Sequence, residues 1–414
     1  FAVNATTSGT CTLKLDDTTS LTSYTFTIPV RTSPSSLTVN TSATTGTCSW
    51  TSGYFVCPDG TAATLNIDEL NSHLNTDSDV FLVTKTGSIT IATGLTVGGS
   101  SASLTLYGGG GVVLNSPIAL TGSGKGLTLQ TQSTTGTITE ALGTSSSPLV
   151  FSTNGGAILI DPSVGSTISN VSVYLAAYTS WQTNGGSFTV SSGASPLTSY
   201  ASGSSNAAGS PQSDGIYINN NVSISTGAGS VVMRGKYNAV YNSAFGINAT
   251  GIDFLSGCSI TTTSGSVQLV GAATPGLSFT SVRTGLNLAD VVISTDSGDI
   301  VLDADTANDG NINYSSMTQA ISFAGATITS NTGAVTVTGN TAGTSGTAGI
   351  TFGNLGNTTI GSVSGDVTIY NKMATTSAQG ISKLNLTGGG THKLAYINPS
   401  FGSGFSGQGT GNFI

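Results

Sequence analysis

The stretch Ala320-Ile-Ser-Phe-Ala-Gly-Ala-Thr-Ile-Thr-Ser-Asn-Thr-Gly-Ala-Val-Thr-Val alternates apolar and polar residues in three short runs. Runs of this kind predict half-buried β-strands, because successive side chains of a strand point to opposite faces. Glycine and small polar residues separate the runs and allow tight corners between them. Three strands with polar corners describe one coil of a triangular parallel β-helix.

The end of this stretch is one copy of a repeat, Gly-x-h-x-h, in which h is an apolar residue. One repeat is too short to bury its own apolar face, whereas stacked repeats bury a continuous core. Glu140 stands at one position where an apolar residue is expected. The glycines of the repeat are Gly87, Gly110, Gly136, Gly156, Gly186, Gly229, Gly265, Gly298, Gly333 and Gly365. We therefore predict an all-β chain whose residues 61–397 form a parallel β-helix, or β-solenoid, with three strands per turn.

Residues 1–60 differ in character from the repeats. They contain Thr12-Leu-Lys-Leu, Tyr24-Thr-Phe-Thr-Ile and Leu37-Thr-Val, separated by Ser, Thr and Pro. This pattern predicts a small N-terminal β-domain of antiparallel strands.

Three further segments interrupt or flank the solenoid. Asp68-Glu-Leu-Asn-Ser-His-Leu predicts a short helix that caps the first coil, with Leu70 and Leu74 on one face. Residues 192–215 are rich in Ser, Gly, Ala and Pro and predict a lateral loop inserted at one corner. Residues 398–414 form a Gly/Ser/Phe-rich tail without a strand period.

Four cysteines indicate an oxidising compartment. Cys48 and Cys57 flank a plausible hairpin, so we predict a disulfide between them, although Cys11 could compete for either partner. Cys258 alternates with Ile260 and is expected to be a buried, inert thiol rather than a redox or nucleophilic group.

The charge pattern argues against several partners. The chain has 10 basic and 18 acidic residues in 414, and a net charge of −8. Its Lys and Arg are scattered, whereas nucleic acids and anionic membranes require clustered cations. No apolar run is long enough to cross a bilayer. The chain begins at Phe1, and we interpret it as a mature secreted protein or as a fragment of a longer one.

Enzyme chemistry finds little support in the sequence. The two histidines, His73 and His392, lie far apart, and no Gly-x-Ser-x-Gly elbow is present. We read His73 as part of the helical cap rather than as a catalytic base or metal ligand. We expect no enzyme activity and no cofactor.

One acidic cluster and two aromatic residues are candidate binding sites. Asp303, Asp305, Asn308 and Asp309 are weak calcium candidates, and a solvated turn is the preferred interpretation because the bidentate Glu of a calcium loop is missing. Trp181 and Tyr200 could bind sugars if exposed, but ordinary packing is the preferred interpretation.

The segment from Leu65 to about Leu159 resembles filamentous-haemagglutinin-like, two-partner-secreted bacterial adhesins. The resemblance rests on Leu65-Asn-Ile-Asp-Glu-Leu-Asn-Ser-His-Leu, then Gly-Ser-Ile-Thr-Ile, Ser103-Leu-Thr-Leu and Gly126-Leu-Thr-Leu-Gln-Thr. It implies a right-handed β-helix, an extracellular or cell-surface location, and adhesion or matrix roles.

The function expected from these observations is structural. We predict a secreted solenoid subunit of a surface filament, sheath or matrix, which assembles head to tail as a homopolymer. Assembly would use the N-terminal domain or the tail, in which Phe401, Phe405 and Phe413 are spaced aromatic residues. Two alternatives remain: an adhesin stalk that binds a host receptor or surface glycan, and a β-helix enzyme acting on polysaccharide.

Overall fold

The structure, a computed structural model, describes most of the solenoid but not its whole length. The described residues are 9–17, 22–30, 32–99, 102–131, 137–162, 172–190, 201–203, 214–237, 249–273, 283–304, 319–341, 348–353, 356–373 and 384–396. They form strands throughout, apart from turns and one α-helix, which confirms the all-β prediction.

The elements follow one another in the chain as short strands with one helix near the start. The first are β1 (Gly9–Asp17), β2 (Thr22–Val30), β3 (Ser36–Asn40), β4 (Ser49–Thr51), β5 (Tyr54–Val56), β6 (Ala62–Asn66), α1 (Ile67–Thr76), β7 (Asp79–Val83), β8 (Ser88–Ile91), β9 (Leu95–Val97), β10 (Ser103–Gly108), β11 (Gly111–Leu114) and β12 (Ile118–Ser123). The next are β13 (Leu127–Thr131), β14 (Thr137–Glu140), β15 (Leu149–Asn154), β16 (Ile158–Asp161), β17 (Ser172–Leu175), β18 (Thr179–Gln182), β19 (Phe188–Val190), β20 (Ala201–Gly203), β21 (Ile216–Ile218), β22 (Ser223–Gly227), β23 (Val231–Tyr237), β24 (Ala249–Phe254) and β25 (Ser259–Thr262). The last are β26 (Val267–Ala273), β27 (Arg283–Ala289), β28 (Val292–Thr295), β29 (Ile300–Ala304), β30 (Gln319–Ala324), β31 (Thr327–Ser330), β32 (Val335–Thr341), β33 (Ala348–Phe352), β34 (Thr358–Ser362), β35 (Val367–Met373), β36 (Leu384–Thr387) and β37 (His392–Tyr396).

Three long parallel sheets make up the solenoid, as predicted. Sheet A runs β6-β3-β8-β11-β14-β17-β21-β24-β27-β30-β33, and sheet B runs β9-β12-β15-β18-β22-β25-β28-β31-β34-β36. Sheet C runs β4-β5-β7-β10-β13-β16-β19-β23-β26-β29-β32-β35-β37, and β20 also pairs with β23. From β8 to β35 the chain visits the sheets in the order A, B, C, so each strand pairs with the strand one coil before it and one coil after it.

The core is a set of apolar columns that run along the solenoid. On sheet C, Ile300 pairs with Val335 and then Val367, while Leu302 pairs with Val337 and then Ile369. All these side chains are buried. Each buried aliphatic side chain contributes about 1.5–3 kcal/mol, so the alternation seen in sequence is the main stabilising feature of the fold.

A second column, of glycines, lies at the corner between sheets B and C. An ideal Cβ placed on Gly298 would lie 1.9 Å from the carbonyl oxygen of Gly265, and one on Gly333 would lie 2.2 Å from that of Gly298. These glycines lie outside the left-handed region of backbone conformation. They are therefore required for the close approach of successive coils, and not for a positive φ. The members of this glycine column are Gly156, Gly186, Gly229, Gly265, Gly298, Gly333, Gly365 and Gly390.

A third column consists of buried hydroxyls three residues before these glycines. The Thr295 hydroxyl donates to the Gly298 carbonyl at 2.5 Å, and the Ser330 hydroxyl accepts from the Gly333 amide at 2.9 Å. Because the hydroxyls bond to the corner backbone, they bury a polar group without leaving it unsatisfied. The column is Thr153, Thr183, Thr226, Thr262, Thr295, Ser330 and Ser362.

The Gly-x-h-x-h repeat spans two different corners of the solenoid. Gly87 and Gly110 come before strands of sheet A, whereas Gly156 and the later glycines come before strands of sheet C. The sequence motif is the same because any inward-facing strand after a tight corner has the same alternation. The repeat thus predicts the strands correctly but does not reveal the change of sheet.

Residues 32–60 differ from the sequence-based expectation in their pairing. Leu37-Thr-Val lies in β3, which pairs in parallel with β6 and β8, so the antiparallel pairing predicted for it is wrong. Strand β5 joins sheet C beside β7. In contrast, β1 and β2 form an antiparallel two-stranded ribbon with Leu13 opposite Phe26 and Leu15 opposite Tyr24.

Candidate functional site: the two ends of the solenoid

The N-terminal end of sheet C is closed by the hairpin β4–β5. A disulfide joins Cys48 to Cys57 across this hairpin, as predicted. The Trp50 indole donates from Nε1 to Glu69 Oε1 at 2.7 Å and stacks on the His73 imidazole with 3.9 Å between ring centroids. The hairpin is therefore tied to α1 by a hydrogen bond to a carboxylate and by ring stacking.

The N-terminal end of sheet A is closed by the segment that follows β3. The amide of Thr45 donates to the Thr64 carbonyl at 3.0 Å, and the Thr64 amide donates to Thr45 Oγ1 at 2.9 Å. The Asn66 amide donates to Thr44 Oγ1 at 3.0 Å. These bonds occupy backbone groups on the outer edge of β6, where another strand would otherwise add.

Helix α1 closes the N-terminal end of sheet B. Asn66 is its N-cap and accepts from the amide of Asp68 at 2.8 Å. Leu70 and Leu74 are fully buried on one face, as predicted, and the Leu74 carbonyl accepts from the Ala102 amide. The predicted helical cap is confirmed. At this end sheets A and B are covered, and sheet C ends on the short β4–β5 hairpin, which is tied to α1.

The C-terminal end is different within the described part of the chain. There β33 ends sheet A, β36 ends sheet B and β37 ends sheet C, and no described strand or helix covers them. Leu384 and Leu386 continue the core column of sheet B, and Leu394 of β37 is only partly buried. Among the described residues, the C-terminal end of the solenoid therefore presents uncovered strand edges.

Glu140 occupies the inward position noted as an exception in the sequence. It lies on β14 beside Leu114, is 6% exposed, and accepts from the Ala176 amide at 2.9 Å through Oε1. Burial raises its pKa well above the ordinary value, although the backbone hydrogen bond partly opposes this shift. Burial therefore favours the neutral form of this side chain, which is hydrogen-bonded within the core.

A second group of titratable residues lies on and beside the sheet A strands β21 and β24. Asp214 is 4% exposed and accepts from the Thr250 amide at 2.7 Å, while Asp253 accepts from Asn287 Nδ2 at 2.7 Å. Burial raises the pKa of both carboxyls, and the charge of Asp253 raises the pKa of Asp214 further. Burial and the same acids raise the pKa of Tyr217, which stacks on Tyr174.

This group was missed in the sequence because its members come from different coils. Tyr174, Tyr217, Asp253 and Asn287 are consecutive members of one outward column of sheet A, and only the register reveals it. The rings of the two tyrosines stack with 5.6 Å between their centroids. The arrangement serves to satisfy polar side chains on the face of the sheet.

The other predicted site residues lie apart. Asp303 is on β29, half-buried, while Asp305, Asn308 and Asp309 lie outside the described residues. Within the described ranges no cluster of His, Cys, Asp and Glu has the arrangement of a metal site.

Several side chains are placed in the core or the cap. Trp181 is 1% exposed and packs against Phe151, so a sugar-binding role for an exposed Trp181 is ruled out, and Tyr200 lies outside the described residues. His73 lies in the cap with Nδ1 2.8 Å from Asp77 Oδ2, and His392 lies buried in sheet C beside Val367.

Cys258 is free and buried, and burial raises the pKa of its thiol to about 11. The thiol donates to the Asn219 carbonyl at 3.0 Å, which is the environment of an inert cysteine. Cys11 lies in β1.

The tail residues Phe401, Phe405 and Phe413 lie outside the described residues. Among the helices that the structure describes, none is long and apolar enough to cross a membrane.

Comparison with known protein families, curated proteins and solved structures found no match to this chain.

Proposed function

We propose that this chain is an extracellular structural protein, a rod-shaped subunit that joins further copies head to tail into a surface filament, sheath or matrix. The observation that carries the proposal is the difference between the two ends of the solenoid. One end is covered by residues 41–45 on sheet A and by α1 on sheet B, and ends on the three-residue strand β4 of a disulfide-closed hairpin on sheet C. The described strands at the other end present β33, β36 and β37 as edges. Uncovered strand edges add strands from other chains.

The covered end limits how a second copy can attach. Because residues 41–45 occupy the edge of β6 and α1 lies over β9, the coils of two solenoids do not stack directly. A donor segment outside the cap is therefore required. A contact between one subunit's donor segment and the opposite end of its neighbour is heterologous, and such contacts generate open filaments.

The β1–β2 ribbon is the donor segment that we favour. Within the described residues it pairs with no strand of the solenoid. A two-stranded ribbon is at best marginally stable in water, and it gains stability by joining a larger sheet. The tail with Phe401, Phe405 and Phe413 is the second segment proposed for this role.

The secreted location is supported by the Cys48–Cys57 disulfide, since disulfides persist mainly outside the cytosol. The likeness to filamentous-haemagglutinin-type adhesins points the same way.

An adhesin stalk is the second candidate function, and connection lengths favour it. The long connections join sheet C to sheet A, as between Asp161 and Ser172 or between Ala304 and Gln319, whereas the A–B corner stays short. Insertions gathered on one side of a solenoid are frequently its binding side. Binding of a receptor or glycan by the intact monomer would favour this candidate.

Truncation tests the head-to-tail mechanism. Since β3 to β5 belong to the solenoid sheets, the informative deletion removes residues 1–31 and leaves the cap intact. We expect this variant to remain folded by circular dichroism and to sediment as a monomer, while the full chain forms filaments in negative stain. Deletion of residues 1–8, which leaves the ribbon whole, is the matched control and should still polymerise.

Deletion of residues 398–414 identifies the alternative donor. If this variant alone is monomeric, the tail joins the subunits and the ribbon does not. If both long truncations still polymerise, or if the intact chain stays monomeric at high concentration, the head-to-tail mechanism is wrong.

A further inference from the structure

The outer face of sheet B differs from the other two faces in charge. Its ten strands contain no Asp, Glu, Lys, Arg or His. The outward charged side chains of the other two sheets include Asp253 on sheet A, and Asp79, Asp161, Asp303 and Lys393 on sheet C. The charges within the described strands of the solenoid are thus confined to two of its three sheets.

Sheet B also has the most regular sequence. Five successive strands share a four-residue form: an outward residue, a buried Ile, a second outward residue, and a buried hydroxyl of the Thr/Ser column. These are Ser223-Ile-Ser-Thr, Ser259-Ile-Thr-Thr, Val292-Ile-Ser-Thr, Thr327-Ile-Thr-Ser and Thr359-Ile-Gly-Ser. The register aligns their outward residues in two straight columns of mostly Ser and Thr.

The corners on both sides of sheet B are short through these coils. Residues 290–291 and 325–326 suffice to enter its strands, and residues 296–299 and 331–334 suffice to leave them. The long connections leave the chain at the opposite corner, between sheets C and A. The face of sheet B is therefore continuous along these coils, with its outward side chains half-buried or exposed, and Val292 is 44% exposed.

We propose that this face is a lateral interface on which a second copy of the chain lies, so that rods associate side by side. This lateral interface belongs to the structural role proposed above, and its biological role rests on that proposal. A chain of net charge −8 is repelled by its own copies wherever acidic faces meet. Contact through sheet B brings together only hydroxyl, methyl and amide groups, so no charge has to be desolvated.

The area of the face sets the expected strength of this contact. Ten strands about 4.8 Å apart and about four residues wide cover about 550 Å² per copy. The resulting total of about 1,100 Å² lies near the lower limit for specific protein–protein interfaces, so two isolated rods associate weakly. Filaments present many such faces at once, and association then strengthens through multivalency. Lateral contact is therefore expected to bundle filaments. Monomeric rods, in contrast, exchange rapidly between the free and the paired state.

Cysteine cross-linking tests the interface without requiring polymerisation. Ser294→Cys places a thiol in the middle of the sheet B face, and Thr336→Cys places one at a comparable half-buried position on sheet C. Both variants are made in a chain that lacks residues 1–31, which removes Cys11 together with the ribbon. The buried thiol of Cys258, with its pKa of about 11, does not compete.

We expect Ser294→Cys rods to form disulfide-linked dimers severalfold faster than Thr336→Cys rods under the same mild oxidation. Adding Thr261→Lys and Thr329→Lys should abolish this difference, because like charges would then meet across the interface, whereas Thr261→Ser and Thr329→Ser should preserve it. In the full chain, the two lysines should leave single filaments in place of bundles.

Equal cross-linking rates for Ser294→Cys and Thr336→Cys would overturn the interface, whatever the state of head-to-tail assembly. A second result would also overturn the interface between copies. Monomeric rods would bind an insoluble neutral glucan, the lysine variant would not, and cross-linking would show no preference for Ser294→Cys. The face would then be assigned to binding a polysaccharide. If cross-linking is preferential but the full chain forms no filaments, the lateral interface stands and the head-to-tail mechanism fails.

Discussion

At the scale of single residues, Glu140 shows what the solenoid does with a polar side chain in an apolar column. Its carboxyl lies beside Leu114 and is held by the Ala176 amide. Burial favours the protonated form, so the folded state binds this proton at pH values where the unfolded chain has released it. Glu140 therefore favours the folded state more at low pH than at high pH, whereas a salt-bridged carboxylate does the opposite.

The sign of this dependence gives the first prediction. The stability contributed by a raised pKa is fully present below the unfolded value of about 4.5 and is lost as pH rises through the folded value. Glu140→Gln keeps an acceptor for Ala176 and does not titrate. We expect Glu140→Gln to exceed the wild type by about 1–3 kcal/mol at pH 8 and to match it near pH 4, measured by urea denaturation.

Glu140→Leu provides a second variant that does not titrate, without the acceptor. Its stability difference from the wild type should change with pH in the same direction as that of Glu140→Gln. A difference of the same size at pH 4 and pH 8 would show that Glu140 does not take up a proton on folding.

At the scale of elements, the corner between sheets B and C depends on the glycine column. From β16 to β37, the strands along the main path of sheet C begin after a glycine whose missing Cβ leaves room for a backbone carbonyl of the coil before it, as with Gly298 and Gly265. The neighbouring hydroxyl column bonds to the same corner backbone. Together they allow coils to stack at the spacing of a β-sheet through a sharp change of direction.

The second prediction concerns this column. Gly298→Ala places a methyl group 1.9 Å from a backbone oxygen of the preceding coil, so the backbone must shift. We expect a loss of about 2–4 kcal/mol in the free energy of unfolding, in the range of strained core substitutions. Gly98→Ala is the matched control, since its Cβ would meet nothing within 4 Å and its stability should change by less than about 0.5 kcal/mol. Equal effects of the two substitutions on the urea midpoint would contradict the packing argument.

At the scale of the whole molecule, the cap lies over the N-terminal end of the rod, so the proposed assembly uses the opposite end. The disulfide, the Trp50 contacts and the edge bonds of residues 41–45 all belong to one small unit at the N-terminal ends of the three sheets. A solenoid without such a unit exposes strand edges at both ends and aggregates without direction.

The third prediction follows from this asymmetry. Cys48→Ser with Cys57→Ser removes the cross-link of the β4–β5 hairpin, and removal of a native disulfide costs about 2–5 kcal/mol. We expect the cap to open while the coils beyond it stay folded. Trp50 should then become accessible to a soluble quencher while Trp181 stays protected, and light scattering should show disordered aggregates.

The effect should be tested in the chain that lacks residues 1–31, where ordered polymerisation is absent by design. Cys258→Ser is the control, because it removes a buried thiol far from the cap. If the double serine variant remains a monomer with Trp50 protected, other contacts suffice to hold the cap.

The sequence by itself determined the strands, the inward residues and the helix, because alternation and corner glycines are local properties. Val335 and Val337, and Leu70 and Leu74, could be assigned from spacing alone, whereas spacing favoured the Cys48–Cys57 pair but left Cys11 as a competing partner. Only the tertiary structure decided which sheet each strand joins. The same Gly-x-h-x-h motif enters sheet A at Gly87 and sheet C at Gly156.

The tertiary structure also decided which side chains of successive coils align in columns. Asp253 meets Asn287, and Ser259 aligns with Val292, only through the register between coils. Register depends on the length of each connection and on the fit of whole coils, so it involves residues far apart in the chain. For the same reason β3 could be recognised as a strand, but its parallel place beside β8 could not.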